Sequence, residues 1–417
     1  MVSYRVSEEA FLREIHEVAG HRASAKQLLI LPISSSHPQS SQMDPTFPTI
    51  GILGGGQLGK MMAAEAVRMG IETKLLSPKD AGPMRPYAGA QVGDWTDPDV
   101  LRSFVSDCDV ITVESEWAPA GAAADVLPDD TALWPSTATL SLIKDKGVQK
   151  QHLADAGCPV PEFVRCNTME DALDAAEAYG YPVVLKQCRG AYDGYGNATV
   201  HSVEALREAW PNLADDGLMV ETFADFTREL AVQVARRPGG EQVVYPVAYT
   251  EQRDHRCHAV EVPADIDEGV AEEARDLAQA AVEGVGLIAV ELFEMPDGDL
   301  LVNELAPRPH NTGHYSIEGS DTSQFENHVR AILDWPLGST ALRQPVAVMV
   351  NVLGRREGTP PRSTGLPRAL DTDGVSPHIY GKPDVRPGRK MGHVTALGSN
   401  RADVRKRAEM AAGAIEL

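Results

Sequence analysis

The spacing of apolar and polar positions changes along the chain, and the changes divide it. Thr49–Leu53 is a short apolar run closed by Gly54-Gly-Gly-Gln-Leu-Gly59, after which apolar residues take helical spacing as far as Met69. Glu72–Leu76 completes a strand–helix–strand unit, and a further strand, Val110–Val113, follows a helical stretch starting near Asp97. This alternation predicts a parallel sheet covered on both faces. From about Ser141 the pattern mixes. A helix is predicted over Lys144–Ala156, stopped by Gly157 with Pro159 beyond it. Strands are predicted at Val183–Gln187, Leu218–Thr222, Glu229–Ala235, Val243–Tyr249 and Cys257–Val262, interleaved with helices over Met169–Tyr179 and Val203–Trp210, an α+β arrangement. A long helix, Ile266–Glu283, leads into a hairpin, a loop over Ala306–Gly319 and a helix, Thr322–Leu333. The remainder has a strand at Val346–Leu353, a Pro/Gly-rich middle and a final helix, Arg401–Ile415.

Residues 1–46 lack this order. A helix-like piece, Glu8–Val18, precedes a Ser/Pro-rich run, and the segment reads as a poorly ordered extension with Met43 as an alternative start.

With 417 residues there is material for two or three domains. No apolar run approaches the roughly 20 residues that span a bilayer, and no secretory cleavage pattern is present, so a cytoplasmic protein without a membrane partner is expected. Five cysteines lack close C-x-x-C spacing and read as reduced, separate thiols. The net charge of −22 argues against a nucleic-acid partner, because phosphate backbones need a basic surface. It suits either a salt-rich cytoplasm or simply an acidic soluble enzyme.

Gly54, Gly56 and Gly59 fit G-x-G-x-x-G between a strand and a helix, the arrangement that brings a pyrophosphate to a helix N-terminus. The acidic residue expected at the end of the second strand is missing there: Asp80 lies beyond Pro78. A dinucleotide-dependent oxidoreductase is therefore the minority reading. The loop still suits a small anion, with Gln57 as a donor, or is a tight turn needing glycine for its backbone alone.

The segment Glu291–Glu304 carries more. Asp297-Gly298 signals a two-residue hairpin turn, and with those two at its centre Glu291 lies directly across from Glu304. Opposed carboxylates repel unless a cation lies between them, and hard oxygen ligands suit Mg²⁺. Glu294 is out of phase and should face elsewhere. The alternative is an exposed hairpin with tolerated like charges, but the flanking Ile288-Ala-Val and Leu300-Leu-Val favour the metal. Just downstream, Arg308, His310, Asn311 and His314 form a loop fit for phosphate and polar substrate groups.

Four ordered motifs then carry a resemblance: Gly54–Gly59, Lys186–Asn197, Asn303–His314 and Arg386–His393. From about Thr49 to the C-terminus the chain resembles 5-(carboxyamino)imidazole ribonucleotide synthetase, an ATP-grasp ligase of purine biosynthesis. The resemblance implies an α/β and α+β fold: a Rossmann-like domain over 47–143, an ATP-grasp domain over 144–336 with a lid at about 157–222, and a small C-terminal domain over 337–417. It implies that ATP, bicarbonate and 5-aminoimidazole ribonucleotide give ADP, phosphate and the N-carboxylated ribonucleotide, with Mg²⁺ or Mn²⁺ as cofactor and a homodimer as assembly.

Carried over by position, the resemblance implies ATP contacts from Lys146, Lys186, the lid loop Ala191, Tyr192, Asp193, Gly194, Tyr195, Gly196 and Asn197, the hinge Glu221, Thr222, Phe223 and Ala224, and Glu229, Gln252, Asn303 and Glu304. It places Glu291 and Glu304 on the metal. It gives the ribonucleotide Gln57, Glu116, Tyr192, Asp193, Arg308, His310, Asn311, Lys382 and Arg389. Arg308 is the candidate holder of bicarbonate or carboxyphosphate, Asp193 orients the acceptor amine, and Lys186 neutralises the transferring phosphoryl group. Another ATP-grasp ligase, such as the formate-dependent glycinamide ribonucleotide transformylase, is the nearest competitor; the Arg386–His393 motif favours the first.

Overall fold

The computed structural model describes residues 47–80, 82–87, 89–190, 196–214, 217–253, 256–360 and 364–417. The extension expected over 1–46 and residues 191–195 of the expected lid loop lie outside them.

Five parallel strands open the described chain: β1 (Thr49–Leu53), β2 (Glu72–Ser77), β3 (Ala90–Val92), β4 (Val110–Val113) and β5 (Ala132–Trp134). Their order is β3-β2-β1-β4-β5. The central strands β1 and β4 are almost wholly buried, as expected of a sheet covered on both faces. One covering helix, Gln57–Arg68, packs its Leu58, Met61, Met62 and Ala66 into a core shared with Phe325, Val329 and Ile332 of a later helix, Gln324–Ile332.

The predicted helix over Lys144–Ala156 is broken at Asp145, which is extended and separates Thr137–Lys144 from Lys146–Asp155. The Asp145 carboxylate accepts from the N–H groups of Gly147 and Val148 and so starts the second helix. An antiparallel sheet follows, built from β6 (Phe163–Cys166), β7 (Val183–Gln187), β8 (Asn197–Val200) and β9 (Leu218–Thr222) in the order β6-β9-β7-β8. The helices Met169–Tyr179 and Val203–Leu213 bury Ala172, Ala176 and Leu206 in one core with its Val183, Leu185 and Val220.

The third sheet holds the remaining strands: β10 (Arg228–Arg236), β11 (Gln242–Val244), β12 (Ala248–Arg253), β13 (Arg256–Val262), β14 (Gly286–Glu294), β15 (Leu300–Ala306), β16 (Val346–Leu353), β17 (Val375–Ile379) and β18 (Lys390–Gly398). They run β15-β14-β10-β12-β13-β16-β18-β17, with β11 beside β10. The single strand expected at Val243–Tyr249 is thus two, parted at Pro246, which has no N–H for a ladder. The helix Glu268–Ala281 lays Ala271, Ala274, Ala278 and Ala281 on one face of this sheet and turns Glu268, Glu272, Glu273 and Asp276 to solvent. The final helix, Arg401–Ala414, covers β16 and β18. On the opposite face Tyr315 packs against Ala231 and Ala248, and the part that carries Glu304 forms the floor of a cleft.

Candidate functional site

The cleft has a volume of about 410 Å³ and is lined by residues from all three sheets or their loops. Gln57 opens the helix Gln57–Arg68, Glu116 lies just past β4, Lys146 opens the helix Lys146–Asp155, and Glu304, Arg308, His310 and Asn311 come from β15 and the loop beyond it.

The hairpin register is as expected, but by another route. The turn is not the predicted two-residue one. Met295 pairs with Asp299 around a three-residue loop, Pro296 to Gly298, and Gly298 takes φ 93°. That loop alone would shift the register by one residue. A β-bulge restores it: Leu292 faces Val302, Glu291 faces Glu304, and Asn303 is the extra residue. Val302 and Leu305 both belong to the core beneath the sheet, so the two residues between them share the cleft face. In an unbroken strand Asn303 and Glu304 would point to opposite faces. Glu294, out of phase as expected, pairs instead with Arg228 at 3.1 Å.

Charged residues gather over these strands. Lys146 forms an ion pair with Glu304. Lys186 Nζ lies 2.6 Å from Glu221 Oε2 and donates to Asn303 Oδ1 at 3.0 Å. Burial, then the nearby Glu304 and Glu229, raise the pKa of Glu291. Burial would raise Glu304 too, but the Lys146 ammonium outweighs it and holds Glu304 low. The two carboxylates are thus pushed in opposite directions, as facing like charges are when no cation lies between them. Glu229, on the same face, is raised by burial and hydrogen-bonds Gln252. Beyond Glu221–Ala224, Phe226 stacks on Phe293 with ring centroids 4.4 Å apart.

The wall opposite is polar. Arg308 makes a two-pronged ion pair with Glu116, Nε to Oε2 at 2.7 Å and Nη2 to Oε1 at 3.2 Å. Burial works to raise Glu116, and Arg308 overrides it and lowers its pKa. His310 Nδ1 lies 2.9 Å from Thr312 Oγ1 and 3.7 Å from Glu291 Oε1. Asn311 is committed to a reciprocal amide pair with Asn351 of β16, at 2.9 and 2.7 Å.

Other expected residues are held by contacts of their own. Lys382 donates to the Lys390 carbonyl at 2.7 Å, and Arg389 pairs with Asp384; the C-terminal residues that line the cleft are Tyr380 and Lys390. Gly196 and Asn197 lie where β7 and β8 join, with Gln187 N–H donating to the Gly196 carbonyl at 2.7 Å. Ala191, Tyr192, Asp193, Gly194 and Tyr195 lie outside the described residues.

Of the two readings left open for the glycine loop, anion site or backbone-only turn, its geometry matches the turn. Glu114, just past β4, fills it: Oε1 accepts from the Gly56 N–H at 2.6 Å and Oε2 from the Gly59 N–H at 2.9 Å. A Cβ on Gly54, whose φ is 130°, would lie 2.1 Å from Glu114 Cγ. The protein's own carboxylate caps the helix, and a pyrophosphate has no room there. The sequence reading missed Glu114, and also Lys150, whose ammonium lies 3.0 Å from Glu221 Oε1 and donates to the Asn303 carbonyl at 2.9 Å. The available signal was its place one helical turn after Lys146. Burial lowers the Lys150 pKa to about 8.

Comparison with known proteins fits this geometry. Three family models match in order: a ribonucleotide synthetase preATP-grasp domain over residues 47–144, an ATP-grasp domain over 151–325, and a phosphoribosylaminoimidazole carboxylase C-terminal domain over 347–407. The N5-carboxyaminoimidazole ribonucleotide synthase of Mycobacterium tuberculosis is 38% identical over 376 residues, covering 88% of this chain and 87% of that protein. The phosphoribosylaminoimidazole carboxylase of Ogataea methanolica is 41% identical, but this chain spans only about two thirds (68%) of its length. Among solved structures, the Aspergillus clavatus synthase in complex with ADP and 5-aminoimidazole ribonucleotide is 32% identical with a TM-score of 0.80, covering 88% of this chain and 98% of that one. The Thermotoga maritima synthetase is 38% identical with a TM-score of 0.79, covering 89% and 99%. The fold is ATP-grasp with a preceding and a following domain, and the chain belongs to the N5-carboxyaminoimidazole ribonucleotide synthase family of ligases.

Proposed function

We propose that this protein uses ATP to carboxylate 5-aminoimidazole ribonucleotide with bicarbonate, giving ADP, phosphate and 5-(carboxyamino)imidazole ribonucleotide in purine biosynthesis. The observation that carries the reading is the facing pair Glu291 and Glu304, flanked by Lys146 and Lys186 in a cleft whose far wall is Arg308 and Glu116. Two carboxylates with two lysines suit a metal–polyphosphate complex, and Arg308 presents a planar fork matched to bicarbonate. Mg²⁺ (or Mn²⁺) held by Glu291 and Glu304 would neutralise charge on the transferring phosphoryl group.

Bicarbonate oxygen attacks the γ-phosphorus, the bond to the β-phosphate oxygen breaks, and ADP leaves. The acceptor amine then attacks the carbonyl carbon of carboxyphosphate, directly or through released CO₂; phosphate departs with the bridging oxygen and the nitrogen loses a proton. Lys146 and Lys186 offset phosphate charge, Glu229 and Gln252 take the nucleotide sugar, and the Glu221–Ala224 hinge reads adenine. Arg308 releases Glu116 to hold bicarbonate, while Gln57, Glu116, His310, Lys382 and Arg389 take the ribonucleotide with Asp193 at its amine. Asn311 holds the loop through Asn351.

The domains of this reading are 47–143, 144–336 and 337–417. A cytoplasmic homodimer belongs to it, supported by the family likeness; among the described residues no helix is long and apolar enough to cross a membrane. The test is ADP release: it should require both aminoimidazole ribonucleotide and bicarbonate and should not respond to formate or NAD. Release driven by formate, or none with both substrates present, overturns the proposal.

A further inference from the structure

Lys150 is 1% exposed, yet nothing in the chemistry above uses it. A lysine is almost never buried without a task for its charge. Among the described residues its one ion-pair partner, Glu221, is shared. Glu221, 2% exposed, has Lys150 Nζ at 3.0 Å from Oε1 and Lys186 Nζ at 2.6 Å from Oε2. The Lys150 ammonium also donates to the Asn303 carbonyl, on the bulge whose side chain meets Lys186. One carboxylate thus stands between two ammoniums, and the trio carries a net positive charge.

Where that excess is felt follows from exposure. The Lys150 side chain is sealed in at 2%, while that of Lys186 is 10% exposed, at the inner end of β7. In a pair, Glu221 would neutralise Lys186 almost entirely, and a phosphate would have to compete with a buried carboxylate for it. In a trio it cannot neutralise both. We propose that Lys150 is a positioning residue for nucleotide binding: by engaging Glu221 from behind, it leaves the Lys186 ammonium with uncompensated charge to meet the phosphates of ATP. This rests on the reading that Lys186 contacts the nucleotide's phosphates.

Equilibrium binding of a non-hydrolysable ATP analogue with Mg²⁺ tests it, with adenosine as the phosphate-free control. Lys150→Met should weaken the analogue about tenfold, the scale of one charge-assisted hydrogen bond, and leave adenosine unchanged. Lys150→Arg should bind as the wild type does. The double variant Lys150→Met/Glu221→Gln, which removes both hidden charges, should regain most of the lost affinity. Lys150→Gln, informative even if Lys150→Met does not fold, should weaken the analogue to the same extent and leave adenosine unchanged. The inference is overturned if Lys150→Met or Lys150→Gln binds the analogue like wild type, if the double variant is as weak as Lys150→Met, or if adenosine falls in step with the analogue. Wild type that binds no nucleotide would instead overturn the ATP reading itself.

Discussion

Glu291 stands directly across from Glu304 although the loop between their strands is one residue too long for that pairing, because Asn303 takes up the surplus as a bulge. The bulge also turns Asn303 and Glu304 to the same face, so consecutive residues serve the same cleft. Asn303→Ala should keep the backbone bulge and lose only the amide oxygen that meets Lys186. We expect kcat/KM for ATP to fall about tenfold, in line with loss of a hydrogen bond to a charged group, with unfolding temperature little changed. At the turn, a Cβ on Gly298 meets nothing within 4 Å, so Gly298→Ala is penalised through φ alone, by about 1–2 kcal/mol in denaturant unfolding.

The facing carboxylates predict a pH signature. Glu291 has a raised pKa in the folded, metal-free protein, so its contribution to stability is present at low pH and is lost as pH rises from the ordinary value of 4.5 through its folded value. Glu304 is lowered and acts in the opposite sense, at the acid end. Metal-free protein should therefore lose some thermal stability between roughly pH 5 and 8, and Mg²⁺ should restore it. Mg²⁺ binding should release a proton, seen as a calorimetric heat that depends on the buffer's ionisation enthalpy. Glu291→Gln should abolish that release.

How far the site could be read from sequence depended on whether the signal was local. Thr49–Leu53, Val110–Val113 and Met169–Tyr179 are strands and a helix at the predicted limits, because their period and stop residues lie within a few positions. Glu291 and Glu304 were found through one turn signal; the turn was mistaken by one residue and the unforeseen bulge cancelled the error. Glu114 and Lys150 were missed because their partners lie about 55 and 70 or more positions away, and no spacing rule links a carboxylate after β4 to glycines after β1.

The Arg308–Glu116 pair predicts opposite consequences for its two ends. Arg308→Ala should lower kcat by about 100-fold or more, as loss of a group that holds the reacting anion, and leave ATP affinity nearly intact. Glu116→Gln frees Arg308 from its counter-charge and should chiefly raise KM for aminoimidazole ribonucleotide. Steady-state kinetics with each substrate varied in turn separates the two.

The filled glycine loop predicts that this protein does not bind NAD, and that its glycines are structural. Gly54→Ala drives a Cβ into Glu114 and should destabilise the fold by about 2 kcal/mol or more. Glu114→Ala strands the Gly56 and Gly59 N–H donors at a helix start and should cost about 1–3 kcal/mol. Chemical unfolding of both variants, beside a titration with NAD, checks these values.

The central claim is that ATP activates bicarbonate within this cleft, and isotope transfer tests it most directly. With bicarbonate labelled by ¹⁸O and aminoimidazole ribonucleotide present, the phosphate released should carry one labelled oxygen, the one that bridged carbon and phosphorus in carboxyphosphate. Phosphate free of label during ribonucleotide-dependent turnover would contradict the account.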